Sequence, residues 1–262
     1  MLFRPKRPVD SEEWEWLLAG MKWLEREFPD LSASRILAVP DRTCFPPSAS
    51  KGPARGEDLF EQVQRIAGMA AWPVRLVPIE PPKRGPVNSV AALQSEKGAC
   101  GSFRLSRSAD GTAMAEIRYS LDQLEDPAGL VATFAHELAH YLLHSRQNPI
   151  PGGDPVEELF TDLTAVWLGF GIFLGNSARY AGHVDEGGGR GWFVSGRQGY
   201  LSERMLMTGL VLSELVADRD PAAASPYLKK YLADDLKMAQ RYSSTRDLRG
   251  EMAAIDLADY GV

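Results

Sequence analysis

The chain has 262 residues, 44% of them hydrophobic and 24% charged, and a formal net charge of -6. That length suits one large domain or two small ones, since single cores seldom grow past roughly 250–300 residues, and the composition excludes a disordered or fibrous chain. The negative charge gives no general pull towards nucleic acid or anionic lipid, no apolar window is read as approaching the roughly 20 residues of a membrane span, and MLFRPKRP leads into no apolar signal core.

Asp10 or Ser11 can cap a helix whose apolar residues Trp14, Leu17, Leu18, Met21, Leu24 and Phe28 recur at threes and fours. Arg35 to Val39 reads as a short strand. Asp41 to Gly56, rich in Pro, Ser and Gly, reads as a loop and the one candidate linker. Glu57 to Ala70 carries Leu59, Phe60, Val63, Ile66 and Met69 on one helical face, and Trp72 to Ile79 turns β-rich. Two β-like runs, Gly101 to Ser106 and Ala113 to Ser120, flank Ala109-Asp110-Gly111, whose Asp-Gly pair suits a hairpin. Ile117 and Tyr119 share a face of the second.

Asp126-Pro127 opens the next helix, with Asp as cap and Pro in the first turn, and apolar periodicity runs to about His144. Asp154-Pro155 opens another, expected to end near Leu168 before Gly169 and Gly171. The run Gly187-Gly188-Gly189-Arg190-Gly191 reads as a turning loop or flap, because it lacks the features of a phosphate loop. Helical stretches at Leu201 to Ala217 and Pro226 to Tyr242 close the chain. Only Cys44 and Cys100 are present, too few for a disulfide framework, so a reducing cytoplasm is the expected compartment.

The first Asp-Pro helix contains His136-Glu137-Leu138-Ala139-His140, an HExxH pattern inside an apolar run. Residues four apart lie one turn above each other, so both imidazoles can face one metal with Glu137 beside it. Neutral imidazole binds zinc without cancelling its charge, which leaves the ion a strong Lewis acid and its water acidic. Glu137 is then the expected general base and Zn2+ the expected cofactor. Two histidines do not complete such a site. Glu158 is the expected third ligand, with Glu157 and Asp162 as alternatives, and Asp162 is placed to accept the free ring N–H of a ligating histidine.

His144 extends the histidine row, but helical drift carries it off the same metal, so a packed or capping role is expected. His183, Tyr180, Arg190 and Tyr200 are candidates to stabilise an oxyanion. Cys100 as a third ligand would give a deformylase-like site; a small buried residue is the plainer reading.

HELAHYLLH followed by EELFTDLTAVWL resembles ImmA/IrrE-type metallopeptidases among the thermolysin-like gluzincins, over about residues 136–168. In that pattern HExxH is followed by a Glu ligand and an Asn or Asp four residues on, which maps onto His136, Glu137, His140, Glu158 and Asp162. Gly169-Phe170-Gly171-Ile172-Phe173 departs from the family's usual ending, and no helix-turn-helix DNA-binding partner is visible. The family's regulatory substrates are therefore not carried over. The resemblance implies an α+β zincin-like domain, a small mixed β-sheet with the active-site helix and flanking helices. It also implies an edge strand lining the cleft, for which Ala113 to Ser120 is expected.

The expected organisation is an N-terminal helix, strand and loop over 1–56, a catalytic domain over 57–200 and a helical extension over 201–262, packed as one unit. The expected activity is hydrolysis of a peptide or protein substrate, without membrane or nucleic-acid partners; the oligomeric state is not legible. Two rivals remain, a non-catalytic zinc-stabilised interaction protein and a non-peptidase zinc amidohydrolase. A closed four-ligand site would mark the first and a small closed pocket the second.

Overall fold

The computed structural model describes residues 5–80, 101–107, 113–181 and 201–262, without the side chains of 106, 107, 113 and 179–181. The hairpin turn at 109–111, Cys100 and the glycine run at 187–191 lie outside the described residues. The architecture is α+β, mostly helical around a three-stranded mixed sheet.

Helix α1 (Ser11–Glu27) starts with a reciprocal cap: the Glu13 N–H donates to Asp10, and the Glu13 carboxylate accepts the Asp10 N–H. Its apolar stripe is buried from Trp14 to Leu24 as the spacing requires, with Trp16 and Trp23 added, while Phe28 lies just past the helix end and is half-buried. A short helix α2 (Pro29–Ser34) follows, which the periodicity does not foresee. Arg35 to Val39 is not a strand. It joins no sheet among the described residues, although the Ala38 N–H donates to the Gly169 carbonyl at 3.0 Å. Helix α3 (Pro53–Ile66) begins four residues earlier than expected because Pro53 suits the first helical turn.

Strand β1 (Val74–Ile79) runs parallel to β3 (Ala113–Ser120), while β2 (Gly101–Arg107) runs antiparallel to β3, giving the order β1-β3-β2. The expected cleft-lining edge is thus corrected: β3 is central, with neighbours on both sides, and among the described residues β2 is the edge strand on the metal side. Ala115, Ile117 and Tyr119 bury the inner face of β3. Alternation locates that face, but it carries no information about which strand lies beside which.

Helix α4 (Pro127–His144), capped by Asp126 on the Gly129 N–H, packs against β2 and β3. After a 3-10 turn at Asp154–Val156 comes α5 (Glu157–Ala165). The glycines do not end this path. It continues through a π turn at Val166–Phe170 into α6 (Gly171–Ala181). Gly169 has φ 104°, and a Cβ there would run into the Ile36 carbonyl of the crossing segment. The glycine is there for a tight crossing rather than a stop. The joined stretch Asp154–Ala178 is long and apolar enough to cross a membrane, against the sequence reading, but 89% of its apolar window is buried inside the protein, as in a core helix.

Helices α7 (Glu203–Val216), α8 (Lys230–Ser243) and α9 (Leu248–Ala254) complete the chain, with Pro226 in a 3-10 turn ahead of α8. Trp16 and Trp23 of α1 meet Phe160 edge-on at 5.9 and 5.2 Å. This aromatic wedge seats α5 against the core and sets where its acidic face points.

Candidate metal centre

His136 and His140 project from α4 with ring centroids 4.8 Å apart and planes at 84°. Their Nε2 atoms are 3.2 Å apart, and Glu158 Oε2, from the first turn of α5, lies 3.4 Å from one and 3.5 Å from the other. Donor atoms about 2.0–2.1 Å from a tetrahedral zinc are about 3.3–3.4 Å from each other. The three atoms are therefore spaced as three corners of a zinc tetrahedron would be. Among the described residues this is the one His/Cys/Asp/Glu group that can hold a metal.

Each ring is oriented from its far side. His136 Nδ1 lies 2.9 Å from Asp162 Oδ1, and Asp162 Oδ2 accepts the backbone N–H of Leu201 at 3.0 Å. A carboxylate only accepts, so Nδ1 carries a hydrogen, which leaves Nε2 as the ring atom that can ligate once its own proton is given up. His140 Nδ1 faces the hydroxyl of Thr161 at 3.4 Å. Thr161 was missed in the sequence, where a threonine within an amphipathic helix carries no signal.

Burial disfavours the His136 imidazolium, but hydrogen bonds to Asp162 and Glu158 and the nearby carboxylate charges outweigh it and raise its pKa to about 10. Hydrogen bonds from His136 and His140 hold the Glu158 carboxyl well below the usual carboxylate range despite some burial. Both shifts express one property, a demand for positive charge where the three donor atoms meet. A divalent ion placed there would meet that demand while touching all three atoms at once.

Glu137 is 6% exposed, and burial pushes its carboxyl up against the opposing charges of His136 and His140. Its space depends on a glycine. A Cβ at Gly101 of β2 would sit 2.8 Å from Glu137 Oε1 and 2.7 Å from Thr133 Cγ2, so with any side chain there Glu137 and Thr133 would have to shift. Phe103, two residues along β2, stacks beside His140, its ring lying at 10° to the imidazole with centroids 6.3 Å apart. His144 is exposed and 6.1 Å from Phe103, outside the ligand group, as its helical drift requires. Glu157 reaches Arg146 at 3.7 Å instead of the metal position.

Tyr180 lies in α6 with its side chain outside the described residues, as are His183, Arg190 and Tyr200 altogether. Cys44 is buried and unpaired. Compared with protein-family models, with curated proteins and with solved structures, the chain matches none.

Proposed function

We propose that the chain is a zinc-dependent hydrolase of the zincin type, a peptidase related in its site to the ImmA/IrrE metallopeptidases. The observation that carries this reading is the triangle of His136 Nε2, His140 Nε2 and Glu158 Oε2, with Glu137 beside it and outside it. A purely structural zinc site has four protein ligands and no need of a base; three ligands beside a half-exposed Glu158 leave an accessible position. When bound, zinc supplies Lewis acidity to a substrate carbonyl and acidity to a water.

The chain's own groups do the rest. Glu137 takes the proton of the attacking water and returns it to the departing nitrogen. Asp162 keeps His136 in the ligating tautomer and ties it to the start of α7. Among the described residues β2 has no partner strand on its outer side, and it runs beside Glu137 and His140, which suits an extended peptide added as a further strand.

Metal content tests the foundation. Purified protein carries about one zinc per chain, and the His136→Ala, His140→Ala double variant carries none. Stoichiometric zinc in the double variant would overturn the ligand assignment.

A further inference from the structure

Beyond the ligands, one face of α5 organises the whole site. Thr161 and Asp162 stand three and four residues after Glu158, so they flank it on one side of the helix. Glu158 faces the metal position, Asp162 faces the back of His136, and Thr161 faces the back of His140. We propose that Thr161 is the positioning residue for His140, its hydroxyl oxygen accepting the Nδ1–H and so holding the Nε2 lone pair on the metal. The proposal rests on the zinc reading above, and not on hydrolysis.

Proton counting makes the argument. The Thr161 side chain is fully buried, and its oxygen lies 2.9 Å from the Glu157 carbonyl and 3.4 Å from His140 Nδ1. The hydroxyl has one hydrogen. The carbonyl can only accept, and it is the nearer partner, so the hydrogen goes there, as is common for helical threonine. What Thr161 then offers His140 is a lone pair, which selects the tautomer with hydrogen on Nδ1. The other tautomer would put a hydrogen on His140 Nε2, aimed into the 3.2 Å gap to His136 Nε2 and blocking the metal.

The two rings are held unequally. His136 has a charge-assisted partner at 2.9 Å, whereas His140 has a neutral one at 3.4 Å, and charge-assisted bonds are roughly twice as strong. Loss of Thr161 therefore weakens the metal less than loss of Asp162. It also differs from a packing defect, because serine keeps the oxygen and loses only a methyl.

The test is zinc affinity, read by competition with a chromophoric chelator, together with the visible spectrum of the cobalt-substituted protein. Thr161→Val is expected to bind zinc about 10-fold more weakly, at the low end of the roughly 10–100-fold range for such partners. Its cobalt spectrum should shift, and Thr161→Ser should match the native protein in both. Native affinity in the valine variant overturns the proposal, as does a serine variant as weak as valine, which would make the methyl responsible. If the native chain binds no zinc, the metal reading falls first and this inference with it. Should the valine variant fail to fold, Thr161→Ala removes the hydroxyl without added bulk and carries the comparison with serine.

Discussion

Asp162 Oδ1 lies 2.9 Å from His136 Nδ1, one helix reaching across to orient a ring on another. The second oxygen of the same carboxylate holds the Leu201 N–H, so a single buried side chain joins α4, α5 and the entry to α7.

Replacing Asp162 with alanine frees the His136 ring and leaves a buried N–H without its acceptor. Zinc affinity should fall about 10–100-fold. Glu157→Ala, at a half-exposed carboxylate that faces Arg146, should change it little. Chelator competition on both variants checks the order; the reverse order would mean that the roles of the α5 acids are misassigned.

Gly101→Ala tests the clearance under the edge strand. The new methyl must displace Glu137, Thr133 or β2, an overpacking that costs about 1–3 kcal/mol. The ligand atoms are not in its way, so zinc content should stay near one per chain while turnover falls at least several-fold. Native turnover in a folded, zinc-loaded variant would show that Glu137 has room that the structure denies it.

Away from the site, Glu25 accepts from Arg35 Nη2 at 2.6 Å, from Trp167 Nε1 at 2.7 Å and from the Ser32 hydroxyl, holding α1 to the π turn. Burial raises its pKa, but these donors outweigh it and the net shift is downward from 4.5. A depressed carboxyl contributes stability that is present above its unfolded pKa and lost as pH falls through the folded one. Glu25→Gln should therefore melt lower near neutral pH and lose less on acidification below about pH 4.5 than the native chain. Arg35, its side chain 2% exposed, loses its ion-pair partner and keeps only the more distant charge of Glu214, and breaking a buried pair costs about 3–5 kcal/mol, fewer where one partner keeps some water as Glu25 does. Parallel melting curves across pH decide it; an identical acid dependence would remove Glu25 from the account.

Local chemistry was legible in the sequence. Asp126-Pro127 located the start of α4, and the four-residue spacings in α4 and α5 brought His136, His140, Glu158 and Asp162 together. What depended on distant neighbours was not. Nothing in the alternation of Ala113 to Ser120 says that β3 has partners on both sides, and Gly169 reads as a helix stop until Ile36 is seen crossing it. Gly101 and Thr161 stayed hidden for a related reason: one acts by having no side chain, the other through an ordinary helical threonine contact.

The central claim is that Glu137 moves the proton and does not hold the metal, and Glu137→Gln addresses it directly. The amide keeps the shape of the side chain and removes the base, which typically contributes about 10²–10⁴-fold to rate. Native and variant proteins, each with zinc content and melting temperature measured, are offered a pool of native and unfolded polypeptides, and new chain termini are counted by mass spectrometry. The account predicts equal zinc, similar melting, cleavage by the native protein and at least about 100-fold less by the variant. Equal cleavage by both proteins would contradict it.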